Sequence, residues 1–185
     1  MRKTLLSLLS VLALASLGNL VSASPAAHRH HSPTPLAPRI VAFDHMYGVD
    51  GPFVGAANSI RGIPGDELPW AVVHFIRGRL DTDGNLKIQV RGLVFADKPS
   101  VPPDLRGRND ESHFRAVVSC LTEQSETVVG MTNVTTMGFP ANEAGDADID
   151  AHVDLPNPCV APDVFVIAGS EDKWFAVTGF EAEGF

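Results

Sequence analysis

Four polar side chains, Asp148, Asp150, His152 and Asp154, stand two residues apart in the stretch DADIDAHVDL. On a β-strand, residues two apart share one face and lie about 6.5–7 Å apart, so these side chains form a row. Carboxylates are calcium ligands, but a calcium ion needs roughly six to eight oxygens that converge on one point. A straight row does not converge, so loop carbonyls would have to complete a metal site there. The alternative interpretation is a solvated strand face whose charges discourage edge pairing.

Three histidines, His28, His30 and His31, lie close together near the N-terminus. Neutral imidazoles at this spacing can hold Cu(II), Ni(II) or Zn(II). A copper histidine brace with His28 as the new N-terminus would resemble the lytic polysaccharide monooxygenases, which are exported β-sandwiches. It requires cleavage after Ala27, which puts Pro25 where signal peptidases prefer a small residue. The alternative is a solubilising leader without a metal.

The two cysteines, Cys120 and Cys159, are predicted to form a disulfide, because paired cysteines in an exported chain favour one. The alternatives are a redox pair or two metal-bound thiolates. There is no C-x-x-C motif, and no histidine or third cysteine stands at zinc spacing. By the chain-entropy model the disulfide would contribute about 4 kcal/mol of stability.

No catalytic residue is predicted, because the chain has no G-x-S-x-G motif and no recognisable base beside a nucleophile. The stretch Asp81–Asn85 resembles the start of a calcium loop, but Leu86 and Gly92 stand where that loop needs Gly and Glu. It is therefore interpreted as a hairpin turn. A pair of carboxylates for glycoside hydrolysis stays open as an alternative.

Residues 1–23 are predicted to be a secretory signal peptide, with two basic residues, the apolar run Leu5–Leu17 and the small-residue cleavage site Val21-Ser22-Ala23. An uncleaved anchor is the alternative, but the apolar run is short for a bilayer span. The sequence thus predicts a secreted protein, extracellular or periplasmic, without a membrane span after cleavage. In a eukaryotic pathway Asn133, in an N-x-T sequon, would be a glycosylation acceptor.

The chain is acidic, with a formal net charge of −8 at pH 7. An acidic chain repels phosphate backbones, and the sequence shows no Lys/Arg cluster to offset this, so nucleic acid and anionic lipid are excluded as partners. A monomer that binds an unknown extracellular or cell-surface ligand is expected, with no cofactor.

The row of acids is expected to lie on a β-strand, in which Ala147, Ile149 and Ala151 alternate with the polar residues of the row. Pro156 and Pro158 are predicted to end this strand. The clearest unit is a hairpin of two β-branched, aromatic-rich arms around an Asp-Gly turn. Its arms are Trp70–Leu80 and Leu86–Phe95. An exposed loop is predicted over Asp97–Glu111. Further strands are predicted over Ile40–Phe43, Asn58–Arg61, Phe114–Leu121, Thr127–Met137, Val164–Ile167 and Lys173–Glu181.

No amphipathic helix follows the signal peptide, and short strands alternate with Gly/Pro turns. The predicted fold is therefore all-β, a single-domain antiparallel β-sandwich over residues 39–185. We expect about seven to nine strands in an immunoglobulin-like or related Greek key arrangement. Residues 24–38, rich in Pro and His, are predicted to be a disordered leader.

Three stretches, FRAVVSC (Phe114–Cys120), GDADIDAHVDLPNPCVAP (Gly145–Pro162) and WFAVTG (Trp174–Gly179), resemble uncharacterised secreted bacterial all-β proteins. The resemblance covers about Trp70 to Gly179 and implies a disulfide and its strands, with no known activity.

The sequence is therefore interpreted as a secreted, non-catalytic binding or interaction module. The alternative is a secreted hydrolase or a copper-dependent enzyme on a β-sandwich. An enzyme would require a concave site with convergent polar groups.

Overall fold

The computed structural model describes residues 37–180, and these form ten β-strands and one turn of 3-10 helix. The strands are β1 Arg39–Phe43, β2 Met46–Gly48, β3 Trp70–Asp81, β4 Asn85–Phe95, β5 His113–Ser125, β6 Val128–Thr135, β7 Phe139–Pro140, β8 Ala147–His152, β9 Val160–Ala168 and β10 Trp174–Thr178, and the 3-10 turn covers Gly51–Phe53. The predicted all-β sandwich is confirmed. The predicted signal peptide, nearly all of the predicted leader, and His28, His30 and His31 lie outside the described residues.

The strands form two antiparallel sheets that pack face to face. Sheet one has four strands in the order β1-β3-β4-β8, and sheet two has six, in the order β2-β10-β9-β5-β6 with β7 beside β5. The β3–β4 hairpin turns at the predicted Asp-Gly site. There the Asp81 carboxylate accepts hydrogen bonds from the backbone N–H groups of Asp83 and Asn85, both at 3.0 Å, and Gly84 adopts a φ of 82°. Glycine reaches this conformation without strain, which explains the tight reversal.

The structure differs from the sequence-based predictions at one predicted strand, at two short strands that were not predicted and at one predicted loop. The predicted strand at Asn58–Arg61 is only an isolated bridge between Ile60 and Ile63. The very short strands β2 and β7 were not predicted, because two or three residues carry no readable alternation. The predicted exposed loop at Asp97–Glu111 is partly packed, since Val101 and Asn109 are buried and the Asn109 amide donates to the carbonyls of Glu111 and Asn142.

The core between the sheets is built from alternate residues of each strand and from an aromatic cluster at one end. Trp70 stacks on Phe175 with ring centroids 3.9 Å apart, and Phe95 lies against its ring at 4.2 Å. Phe114 packs edge-on against the rings of Trp70 and Phe175. Both tryptophans are buried, as their apolar strand contexts predict.

The middle of sheet two, in β9 and β10, is buried on both faces because residues 49–66, named here the covering segment, lie across its outer side. Phe53 of this segment packs against Trp174, with centroids 6.3 Å apart, and Trp174 in turn meets Phe165. Gly65 lies so close to the Phe53 carbonyl that an added Cβ would approach its oxygen to 2.0 Å. This close approach admits only glycine.

Arg61 fastens the covering segment to the sheet. Its Nε donates to the Asp163 carboxylate at 2.7 Å and its Nη2 donates to the Ala161 carbonyl at 2.9 Å. The Asn133 side-chain amide donates to the Arg61 carbonyl at 3.0 Å. The segment is therefore tied to both β9 and β6.

Cys120 and Cys159 form the predicted disulfide, with Cα atoms 4.9 Å apart. It joins the buried part of β5 to the turn that enters β9, and these two strands pair antiparallel. Helices that could cross a bilayer do not occur within residues 37–180.

Candidate functional site

The predicted row of acids lies on the outer face of sheet one, where β4 neutralises its first two members. The β4–β8 register places Lys87 opposite Asp150 and Gln89 opposite Asp148. Asp150 forms an ion pair with Lys87. Asp148 accepts two hydrogen bonds from Nη2 of Arg91, at 2.8 and 3.1 Å. The two carboxylates therefore have protein cations as partners, and a metal ion would have to compete with them.

The remaining members of the row do not converge with the first two. His152 Nε2 lies 3.9 Å from an Asp154 carboxylate oxygen, and both side chains are exposed. The four side chains thus lie on one side of β8 and the residues that follow it, as the alternation predicts. They form a line and do not converge on a common point. The metal site proposed for them stays a prediction, as does the one at the N-terminal histidines.

A different set of acids clusters beside sheet two, which the sequence did not predict. Carboxylate oxygens of Asp66, Glu67 and Glu171 lie within 4.8 Å of one another, and this is the only such cluster among the described residues. Lys173 Nζ already lies 2.5 Å from Glu67 and 2.7 Å from Glu171. The lysine supplies the positive charge that a metal would otherwise bring.

Asp66 in this cluster is buried and has a structural partner. Its carboxylate accepts a hydrogen bond from the indole N–H of Trp70 at 2.7 Å. Burial raises the pKa of Asp66, while Lys173 lowers the pKa of the exposed Glu67 beside it. Asp66 therefore fixes the core tryptophan to the end of the covering segment.

An open groove of about 580 Å³ lies on sheet one, lined from β1, β3, β4 and β8. Four cationic side chains line it, Arg39, Arg77, Arg79 and Lys87, together with three carboxylates, Asp44, Asp148 and Asp150. Ala42 of β1 stands opposite Arg79, and its small side chain leaves room beside the guanidinium. We name these four cations and the groove between them the basic groove.

The charges in the basic groove are only partly compensated. Arg79 stands directly opposite Lys87 across the β3–β4 pair, and Arg77 stands opposite Gln89. Like charges directly opposite each other in a sheet are destabilising. Within residues 37–180, the side chains of Arg39 and Arg79 make no hydrogen bond or ion pair, although the Arg79 charge acts on Asp81. Asn85, which donates to that carboxylate, is the larger cause of the lowered Asp81 pKa.

Arg77 is held in a defined position at the groove. Its Nε donates to the Gln89 side-chain oxygen at 2.8 Å. The guanidinium carbon also lies 4.9 Å from the centroid of the half-exposed Phe75 ring, within cation–π range. The groove thus contains one pre-oriented guanidinium, that of Arg77, and two without a hydrogen bond or ion pair within residues 37–180, those of Arg39, which stands opposite Asp81, and Arg79.

The sequence has no run of Lys and Arg, but the fold brings four cations into one groove. Arg39, Arg77 and Lys87 are far apart in sequence, and pairing of three strands brings them together. The hairpin alone could have predicted three of the four cations, because a turn centred on Asp83 places Arg79 opposite Lys87 and Arg77 two residues away on the same face. The position of β1 beside β3, which adds Arg39, has no such local signal.

Asn133, the sequon residue, lies exposed on β6 and donates its side-chain amide to Arg61. Glycosylation there stays a prediction.

Comparison of the chain with protein-family models, curated proteins and solved structures finds no match. The resemblance to uncharacterised secreted bacterial proteins therefore stays a prediction. The residues of the basic groove are what indicates a function.

Proposed function

We propose that this protein is an exported, non-catalytic binding module and that its basic groove binds an anionic ligand outside the cytoplasm. The observation that carries the proposal is Arg79, which makes no hydrogen bond or ion pair within residues 37–180 and stands opposite Lys87 and near Arg39 in the same groove, in a chain of net charge −8. Lys87 already has Asp150 as its partner, so an anion bound at Arg79 would supply the ionic partner that this guanidinium lacks in the described chain.

The chemistry of the groove favours carboxylates on an extended chain. A guanidinium presents a planar fork that matches a carboxylate with two parallel hydrogen bonds. The groove of about 580 Å³ lies within the usual range of ligand sites but is open along the sheet. An acidic polysaccharide of uronate units, which repeats a carboxylate along a polymer, suits this shape better than a compact metabolite.

Two of the three acids that line the groove, Asp148 and Asp150, support binding rather than hydrolysis. A glycosidase needs two carboxyl groups on either side of the scissile bond, one of them free to donate a proton. Asp148 and Asp150 instead hold Arg91 and Lys87 in ion pairs on one strand face. Their role in the proposal is to orient those cations.

Export is proposed from the signal-like N-terminus together with the disulfide. Structural disulfides form and persist mainly in oxidising compartments. The Cys120–Cys159 bond and the residues of Leu5–Leu17 fit an extracellular or periplasmic protein.

The proposal is tested by titrating the oxidised protein with polygalacturonate at low salt and measuring heat. We expect saturable binding that weakens as salt rises, because the contacts are charged and exposed. Arg79→Gln should weaken binding by about tenfold, since one charge-assisted contact contributes about 1.4 kcal/mol or more.

Arg108→Gln is the matched control, because it removes the same charge from an exposed arginine that pairs with Glu143 outside the groove. It should leave the affinity unchanged. Equal loss in both variants, or binding that survives Arg79→Gln, would contradict the proposal, as would a lack of binding to polygalacturonate.

A further inference from the structure

Strand β6 is the free edge of sheet two, and it differs from the other sheet edges in charge. β1 carries Arg39, β8 carries Asp148 and Asp150, and β2 is only three residues long. Charges and short length are devices that keep edge strands from pairing with other molecules. Of the edge strands within residues 37–180, β6 alone is long and has neither device.

The β6 edge is apolar as well as uncharged. No ionisable residue occurs from Thr127 to Met137. Val128, Val129 and Met131 are 49%, 71% and 41% exposed, respectively. Such a strand presents unpaired backbone groups and apolar side chains together, which is the surface that β-strand addition uses.

Charge decides which strand would pair with this edge. The chain has a net charge of −8, so two copies repel each other when they approach through charged surfaces. At β6 neither copy presents a charge, so repulsion is least there. We propose that two copies of this chain pair antiparallel through β6 and join their second sheets into one continuous sheet.

The sequence of β6 is complementary to itself in one register. Residues directly opposite in an antiparallel pair share a face, so a two-fold axis perpendicular to the sheet has to pass between two copies of the same residue. With the axis at Gly130, Val129 of each copy faces Met131 of the other on the outer side. Glu126 then faces Val134 rather than its own counterpart, so like charges are not opposed.

The surface beside β6 extends the contact. An open cavity of about 500 Å³ lies at the hairpin end, where Leu121, Val128 and Val160 contribute apolar walls and Glu123 and Glu126 contribute charge. Val160 is itself 53% exposed, next to the disulfide. A second copy paired at Gly130 brings its own β6 toward this cavity, which would cover more apolar surface than the strand pair alone.

The assembly stops at two copies and is weak. In the dimer the edge of β6 is paired and can bind no further copy. The sheet edges that remain, β1, β8 and β2, are charged or short. A single strand pair covers less than the ~800 Å² per partner of a standard interface, so the dimer should dissociate on dilution. This proposal replaces the expectation of a monomer, and it does not depend on the basic groove.

Sedimentation velocity of the oxidised protein over a wide concentration range tests the proposal. We expect a shift from monomer to dimer without higher species. Val129→Lys and Met131→Glu should each weaken dimerisation by about tenfold or more, because each sets a charge into the apolar pair. Val73→Lys is the control, since it adds the same charge at a valine that is 56% exposed on the other sheet.

An equimolar mixture of the Val129→Lys and Met131→Glu proteins should recover dimerisation, because the Gly130 register sets lysine opposite glutamate. Melting temperatures of the separate variants, measured at concentrations where all are monomeric, show that each is folded. A wild type that stays monomeric at every concentration overturns the proposal. A dimer that Val73→Lys weakens as much as Val129→Lys overturns it too, and failure of the mixture to recover overturns the register at Gly130.

Discussion

The outer faces of the two sheets differ in what covers them. The outer face of sheet one is open and charged, and it contains the basic groove. The outer face of β9 and β10 in sheet two lies under the covering segment, where Phe53 packs against Trp174 and Trp174 packs against Phe165. One chain thus uses one sheet to build stability on both sides and leaves the other free to meet a ligand.

The division follows from the residues along the strands. In β4 the apolar Leu86, Ile88 and Val90 alternate with polar residues, so one face is buried and the other is wet. In β9 the run from Val164 to Ala168 is apolar throughout and every residue is buried. A continuous run requires a cover on its second face, and residues 49–66 supply it.

Two phenylalanine substitutions, one on the outer face of each sheet, should show the largest difference in the free energy of unfolding. Phe165→Ala removes a ring under the covering segment and should lower the free energy of unfolding by about 3–5 kcal/mol. Phe75→Ala removes a ring from the open face and should cost about 1 kcal/mol or less, mainly the contact with Arg77. Urea denaturation of the two variants measures the difference, and similar losses would show that sheet two is not covered as described.

Substitution of Asp66 should sharpen the account of the covering segment. Asp66→Ala leaves the buried indole N–H of Trp70 without an acceptor and should cost about 1–3 kcal/mol. Asp66→Asn keeps an acceptor oxygen without a charge to bury, so at neutral pH it should be at least as stable as the wild type.

The pH dependence of Asp66 follows from the direction of its shift. Because burial raises its pKa above the ordinary 3.8, the folded state holds the proton more tightly than the unfolded state. The stability contributed by this proton is fully present below pH 3.8 and is lost as pH rises through the raised value. Denaturation curves against pH should show this component in the wild type, and its persistence in Asp66→Asn would assign it to another group.

The smallest expected effect is on the open face. Arg79→Gln removes the like-charge contact with Lys87 and should raise the free energy of unfolding by about 0.2–1 kcal/mol at low salt. High salt should remove the gain because it screens exposed charges. Loss of stability in this variant would mean that Arg79 has a structural role in the fold.

Much of the fold could be predicted from the sequence because the signals are local. The Asp-Gly turn set the β3–β4 register, and the alternation of Asp148 and Asp150 with apolar residues set the outer face of β8. The disulfide followed from the number of cysteines and the exported context.

The candidate site could not be predicted in the same way. Arg39 reaches the basic groove only because β1 pairs with β3, a contact between distant parts of the chain. The cation partners of Asp148 and Asp150 depend on the pairing of β4 with β8, across more than fifty residues. Such pairings are set by tertiary packing, which leaves no short-range pattern.

The most direct test of the proposed function is to map binding on the protein by NMR. Amide shifts of the labelled, oxidised protein are followed during titration with a short uronate oligomer. The account predicts that the changes concentrate at Arg39, Arg77, Arg79 and Lys87, on the outer face of sheet one. Changes that concentrate instead at the covering segment or at residues 97–111, or the absence of any saturable change, would contradict it.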